Sequence, residues 1–496
     1  MTAYVIFHSL ILSGFILALA YYLMTNLQWY DYSLHRVLTK HHKRYWHVNY
    51  FLLPLGVFII TCLLDSKLVF LGFSGAFICL YLPFLLRWIL QLDKRLKFTR
   101  RVISFFVILV GFLLLHQGLY FLTKDLRIFS LLFLLPLVFA LITSNLYERI
   151  LFSRYKALAK RKINSLIALK IITITGSFGK TSIKNFLEKI LSTKYQVYAT
   201  PRSVNTIKGI VSDINTSLPP TTQIYIAEAG ARQKGDISEI ANLLHAQYAI
   251  IGEIGEQHIE YFKTAENVVQ TKYELLESNR LKKALVYEGN TPPATLPQKT
   301  LNLITPYPKN LRNIEATLEK TSFELEIKGV YHPFETNLLG TFNVANLSAA
   351  ILMAVEFDIP IPTIQRAVSK LDFVQNRLQK YTAGGKIILD DGFNGNLKGM
   401  LEAIRLSGLY EGRKVIITPG LVESTDEANI QLAKAIDGVF DLAIITGELN
   451  SKILSSHISR PQKIILKDKS QLTHILLTST HKGDLLLFAN DAPTFI

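Results

Sequence analysis

At 496 residues the chain is long enough for about three domains, and 49% of it is apolar, with a positive mean hydropathy that points to a membrane portion. The formal charge is +16, yet residues 1–162 hold 19 of the 54 Lys and Arg and only 5 of the 38 Asp and Glu, so the remainder is close to neutral. A nucleic-acid protein would carry its excess on a folded basic face, so nucleic acid is excluded as a partner. The two cysteines, Cys62 and Cys79, lie in apolar runs and imply neither a disulfide framework nor a metal cluster.

Five apolar runs come first, at about 4–24, 50–64, 69–88, 102–122 and 128–146, the second short for a span. The first lacks a cleavage-site pattern and precedes further runs, so it reads as an anchor and not a signal peptide. The 25–49 connection carries Arg36, Lys40, Lys43 and Arg44, and the 89–101 connection carries Lys94, Arg95, Lys97, Arg100 and Arg101. Arg149, Arg154, Lys156, Lys160, Arg161 and Lys162 follow the last run, whereas the other two connections are nearly balanced. Positive-inside bias then puts the N-terminus outside and everything after 147 in the cytoplasm. The expectation is a multi-span membrane region over 1–150, in the inner (cytoplasmic) membrane.

From about 165 short β-rich runs alternate with amphipathic helices: "KIITIT", "QIYIAEAG" and "YAIIGEIG", then "KIILDD", "KVIITPG", "LAIITGE" and "DLLLFAN". Such alternation predicts parallel sheets covered on both faces. Residues 322–340 read as a small antiparallel insertion, 343–356 as a helix, and a domain boundary falls near 370.

"KIITITGSFGKTS" ends its strand in a glycine-rich turn. The pattern G-x-x-x-x-G-K-[ST] asks for glycine at 174, where this chain has Ile174. The context still suits a phosphate loop. Ile183, Phe186, Leu187, Ile190 and Leu191 fall on one helical face, so the loop joins a strand to a helix N-terminus. Gly176 and Gly179 permit close backbone approach, Lys180 supplies a point charge, and the Thr181 hydroxyl suits Mg²⁺. Glu228, His258, Asp390 and Asp391 follow later strands at what reads as the same sheet edge, where open α/β sheets bind ligands. Each alone is more often a cap or a structural residue.

The loop G-S-F-G-K-T-S with Gly176, Ser177, Gly179, Lys180, Thr181 and Ser182, Glu228 in "EAGARQKGDI", His258 in "GEQHIEYF", Lys272 in "TKYELL" and Asn343/Asn346 in "GTFNVANLSAA" together resemble the Mur ligases. These are ATP-dependent amide-bond ligases that build the peptide stem of peptidoglycan. Their loop is the shorter Gly-x-x-Gly-Lys-Thr, which leaves position 174 to the strand. Arg377 in "QNRLQ" and the string "DDGFNGNLKGM" at 390–400 complete the set, the latter resembling the D-D-x-Y-N-A-N-P-x-S-M signature of the branch that adds D-Ala-D-Ala.

The resemblance, over roughly 165–490, implies a central P-loop ATPase domain (165–370) with a parallel sheet and a C-terminal Rossmann-like α/β domain (371–496). It implies ATP and Mg²⁺, with UDP-MurNAc-tripeptide and D-Ala-D-Ala as substrates. Lys180 and the loop amides would hold the β/γ-phosphates, Thr181 and Glu228 one Mg²⁺, and His258 a second. Lys272 matches a lysine often carbamylated in the family, which would also serve Mg²⁺. Asn343 and Asn346 would lie near adenine, with Arg377 and Asp391 reaching the nucleotide from the C-terminal domain. Membrane lipid and other cell-wall precursor enzymes are the remaining expected partners.

The chain departs from the family at Phe178, at Phe393, Gly395, Leu397 and Gly399 within the 390–400 string, and at its N-terminus. Apolar runs there replace the usual uridine-binding domain. A Mur-like ligase with another substrate, such as a membrane-linked polyglutamate synthase, and a catalytically silent scaffold are the alternative readings.

Overall fold

The structure, a computed structural model, describes residues 2–40, 43, 45–64, 66–92, 94–123, 130, 132–202, 204–255, 262, 264–373, 377–392, 395–422 and 424–490. The chain forms two compact units, Met1–Arg154 and Tyr155–Ile496.

Among the described residues five helices are long and apolar enough to cross a membrane: Ala3–Trp29, Tyr45–Leu64, Lys67–Leu90, Arg100–Gly118 and Leu135–Ser165. The second is 20 residues because a turn of π-helix at Val48–Leu52 continues into Leu53–Leu64, so it is longer than the apolar run suggested. The last runs on through the basic segment beyond Arg154. Inside the first unit, Phe15 is ringed by Phe58, Phe73 and Phe77 at centroid separations of 5.2–5.6 Å. Outside, Leu10, Leu63, Leu68, Leu80, Leu90, Val107 and Leu115 are all exposed, an inverted pattern for a helical unit in water. The end of the first helix meets the 94–97 segment. Trp29 Nε1 donates to the Lys94 carbonyl (2.9 Å), and the Gln28 amide exchanges bonds with both backbone groups of Lys97 (2.8 and 2.9 Å).

The second unit is built on two six-stranded sheets. The first comprises β1 (Lys170–Thr175), β2 (Val197–Ala199), β3 (Ile224–Glu228), β4 (Tyr248–Ile251), β5 (Lys283–Tyr287) and β6 (Ile304–Tyr307). Its order is β2-β3-β1-β4-β5-β6, parallel throughout. Ile174 pairs with Glu228 inside this ladder, so it belongs to the strand and not to the loop. One face packs on the helices Lys180–Leu191 and Phe342–Glu356, with Ile172, Ile174, Phe186, Leu187, Leu347 and Ile351 in a common core. A three-stranded antiparallel sheet, β7 (Leu311–Ala316), β8 (Thr321–Ile327) and β9 (Val330–Thr336), adds Phe323, Leu325 and Phe334 to that core.

The second sheet holds β10 (Gln379–Ala383), β11 (Lys386–Asp391), β12 (Lys414–Thr418), β13 (Leu442–Thr446), β14 (Gln462–Leu466) and β15 (Leu485–Ala489). Its order is β10-β11-β15-β12-β13-β14, parallel except for the β10–β11 edge pair. Strand alternation divides its side chains between two cores: Leu389, Ile416 and Leu487 on one face, Ile388, Ile417 and Leu486 on the other. Asp390 and Asp391 therefore close a strand of this second sheet. They do not share the sheet edge of Glu228, because β11 belongs to a separate ladder.

Candidate active site

β1 has β3 on one side and β4 on the other, so the order of strand addition reverses about it, and the crevice beyond its carboxyl end is a topological switch point. The turn at 176–179 occupies that crevice and is pinned to the turn after β4. Ser177 and Phe178 N–H donate to the Glu253 carbonyl (2.9 and 3.2 Å), and Ser177 Oγ donates to the Gly255 carbonyl (3.0 Å). Gly179 has φ +76°, and a Cβ there would run into the Asn346 side-chain amide. Phe178, unexplained by the loop's chemistry, lays its ring over Gly255, where an added Cβ would stand 2.6 Å from Phe178 Cε2. The same ring helps to line a cavity with Tyr287, Tyr307 and Phe342, and Ser182, Asn346, Arg377 and Asp391 face into it.

The helix Lys180–Leu191 starts at the loop and sets the polar side chains. Lys180 Nζ folds back onto the Gly176 and Ser177 carbonyls (2.8 and 3.0 Å). Burial lowers its pKa to about 8, opposed by Glu228 and reinforced by Arg377. Thr181 Oγ1 donates to Glu228 Oε2 (3.0 Å), so a hydroxyl and a buried carboxylate are paired at the crevice. These are hard oxygen donors of the kind Mg²⁺ favours. Lys272, on the helix Ala265–Tyr273, is buried, and its pKa falls to about 7, first from burial and then from the charge on Lys180.

Arg377 acts on both Asp391 and Glu228, and its own pKa is lowered by burial. Asp391 accepts a bond from the Leu378 N–H (3.2 Å), while burial raises its pKa to about 6 against the pull of Arg377. Asp390 accepts from the Gly392 N–H (3.0 Å). Asn343 is committed to the Leu339 carbonyl (2.7 Å) and does not cap its helix, whose N-cap is Thr341. His258 lies outside the described residues.

Three departures in the 390–400 string concern described residues. A Cβ at Gly395 would meet Met400 Sδ at 3.0 Å and Asn490 Cβ at 3.1 Å, so the family's alanine has little room there. Leu397 is the first residue of the helix Leu397–Gly408, a position proline favours, and packs on the core of the second sheet. A Cβ at Gly399 would make only ordinary contacts with the Asn396 side chain, the nearest at 3.4 Å.

Sequence reasoning missed Lys184 and Asn205. Lys184 is fully buried, donates to the Thr200 and Arg202 carbonyls (2.6 Å each) and stands 3.7 Å from Glu228 Oε2. The available signal was a lysine beside Ile183 and Leu187 on a helical apolar face. Asn205 Nδ2 reaches Glu228 Oε1 at 3.5 Å, and only its place before the helix-capping Thr206 could have marked it. Lys180, Lys184, Lys272 and Arg377 thus all act on Glu228, a cationic surplus suited to an anionic ligand.

Fold and crevice define a phosphate-loop α/β protein with multiple domains. Residues 174–354 match the Mur ligase middle domain. The chain is 28% identical over 346 residues to the UDP-N-acetylmuramoyl-tripeptide–D-alanyl-D-alanine ligase of Bacillus subtilis, covering 67% of this chain and 75% of that one. Against the same enzyme of Buchnera aphidicola it is 27% identical, covering 51% of this chain and 57% of that one. Among solved structures it resembles MurF from Acinetobacter baumannii (TM-score 0.60, 19% identity, 68% of this chain and 77% of that one). It also resembles MurF from Thermotoga maritima in complex with ADP (TM-score 0.59, 20% identity, 68% and 80%). Residues 174–354 thus carry the sequence pattern of a Mur ligase middle domain, and the second unit has the fold of the solved MurF structures.

Proposed function

We propose that the chain is an ATP-dependent ligase that joins D-Ala-D-Ala to UDP-MurNAc-tripeptide, held in the cytoplasmic membrane by the first unit with the second unit in the cytoplasm. The observation that carries the reading is the Lys180–Thr181–Glu228 cluster at the switch point, with Arg377 acting on Glu228, and Arg377 and Asp391 lining a cavity that the neighbouring Gly179 and Ser182 also line. The Mur ligase relatives support the reaction. The five helices and their exposed apolar exteriors support the membrane.

A carboxylate is a poor acyl donor because its leaving group would be oxide. Transfer of the γ-phosphoryl group to the tripeptide carboxylate gives an acyl phosphate and ADP. The dipeptide amine then attacks the acyl carbon, its proton leaves, and phosphate departs as the amide forms. Lys180 and the loop N–H groups hold the β/γ-phosphates and offset charge in the transition state. Thr181 and Glu228, with His258, would hold Mg²⁺, which supplies further neutralisation of phosphate charge. Asn346, which lines the cavity, would lie toward the adenine side, with Asn343 held behind it by the Leu339 carbonyl, and Arg377 and Asp391 would fasten the nucleotide once the second sheet closes on it. Lys272, with its pKa near 7, is an unprotonated amine in about half of the molecules at neutral pH, and in that form is able to take up CO₂ as a carbamate. Arg377 and Asp391 speak against a polyglutamate synthase, which resembles only the ATPase part.

The test supplies full-length protein with ATP, Mg²⁺, the nucleotide tripeptide and D-Ala-D-Ala, and follows phosphate and pentapeptide. Lys180→Ala should lower turnover by about 10²-fold or more with the melting profile retained. Activity equal to the parent removes the phosphate role.

A further inference from the structure

The first unit carries a feature the ligase reaction does not use. Residues 94–101, "KRLKFTRR", hold five cations and no acid. Loose basic loops are what orientation in a membrane alone requires, but this segment is built into the fold. Gln28 pairs with both backbone groups of Lys97, Trp29 Nε1 binds the Lys94 carbonyl, and Leu96 is buried among the helices. The Arg101 guanidinium lies 3.7 Å over the Tyr32 ring, and Glu148 acts on it electrostatically. Lys94, Arg95, Lys97 and Arg100 are exposed, and no described carboxylate forms an ion pair with them.

Holding like charges in one ordered segment is unfavourable unless an anion accompanies them. Depth identifies which anion. The segment runs between helices that end at Leu90 and begin at Arg100, beside the end of the first helix at Trp29. Trp29 and Tyr32 are the aromatic types that gather at headgroup level. A lipid phosphate lies at that depth and has the complementary charge.

We infer that this strap is a binding site for the phosphate headgroup of an anionic membrane lipid, with Lys94, Arg95 and Lys97 as its cations and Gln28 and Trp29 as the residues that hold the backbone in place. The inference rests on reading the first unit as membrane-spanning. Purified full-length protein in neutral detergent would be titrated with phosphatidylglycerol, phosphatidylcholine or inorganic phosphate, and retained lipid counted by native mass spectrometry. The parent should retain phosphatidylglycerol at least tenfold better than phosphatidylcholine. The triple variant Lys94→Gln/Arg95→Gln/Lys97→Gln should lose that preference, and Lys94→Arg/Lys97→Arg should keep it. Gln28→Ala, with every cation present, should weaken it several-fold. Equal retention of both lipids by the parent, or preference surviving in the triple variant, overturns the inference. So does full preference in Gln28→Ala, which would make charge without order sufficient, or displacement of the lipid by millimolar inorganic phosphate, which would make the site one for free anion. Failure to sediment with membranes after alkaline washing overturns the membrane reading itself, which separates the two failures.

Discussion

At the scale of single residues the crevice is governed by where cations are forced to sit. Lys272 has a folded pKa near 7 against an ordinary 10.5, with burial the larger cause. Below pH 7 it is charged in both folded and unfolded chains, so the folded state bears the full penalty of a buried ammonium. As pH rises through 7 the folded state releases its proton first and the penalty shrinks, vanishing above the unfolded value. In carbonate-free buffer Lys272→Met should therefore be more stable than the parent at pH 6, by an advantage that falls by roughly 3 kcal/mol on going to pH 9. Thermal melts of both proteins across that range check this, and a pH-independent difference refutes the assignment. With bicarbonate present, turnover of the parent should rise between pH 6 and pH 8, and rapid-quench mass spectrometry should show a labile CO₂ adduct absent from Lys272→Met.

Elements explain what the residues alone leave open. The missing glycine at 174 is settled by the ladder: the residue pairs with Glu228, and the loop starts at Gly176. Periodicity made β1, β3, β4, β11, β12, β13 and β15 legible, because parallel strands buried on both faces read as continuous apolar runs. The edge strands β2, β10 and β14 were not, since half-exposed sequences such as "VYA", "QKYTA" and "QKIIL" resemble loop or helix surface. Phe178 escaped because its partner is a glycine in a turn 77 residues on, a contact with no local signature. Lys184 escaped because a lysine on a helix is ordinarily read as solvated, and only the Thr200 and Arg202 carbonyls reveal its burial. The Phe178–Gly255 packing yields its own prediction. Gly255→Ala should lower stability by about 1–3 kcal/mol through overpacking and weaken ATP binding, and Phe178→Leu in the same chain should restore most of both. Nucleotide titrations and denaturant melts of the double-mutant cycle test it, and strictly additive losses would show that the two positions do not communicate.

For the whole molecule the telling feature is that two sheets of the second unit share one cavity. Arg377 comes from the segment leading to the second sheet and acts on Glu228 of the first. Nucleotide should therefore tighten the second unit as a whole. ATP with Mg²⁺ at 100 times Kd should raise its stability by about 2.7 kcal/mol, with slowed amide exchange at β11 as well as at β1, and Arg377→Ala should confine the protection to the first sheet. Protection limited to β1 in the parent would remove closure from the mechanism. Full-length protein given ATP, Mg²⁺, UDP-MurNAc-tripeptide and a panel of amines should release phosphate in step with pentapeptide when D-Ala-D-Ala is supplied, and with no other amine at comparable rate. Absence of both products, or turnover only with a different amine such as glutamate, would contradict the account.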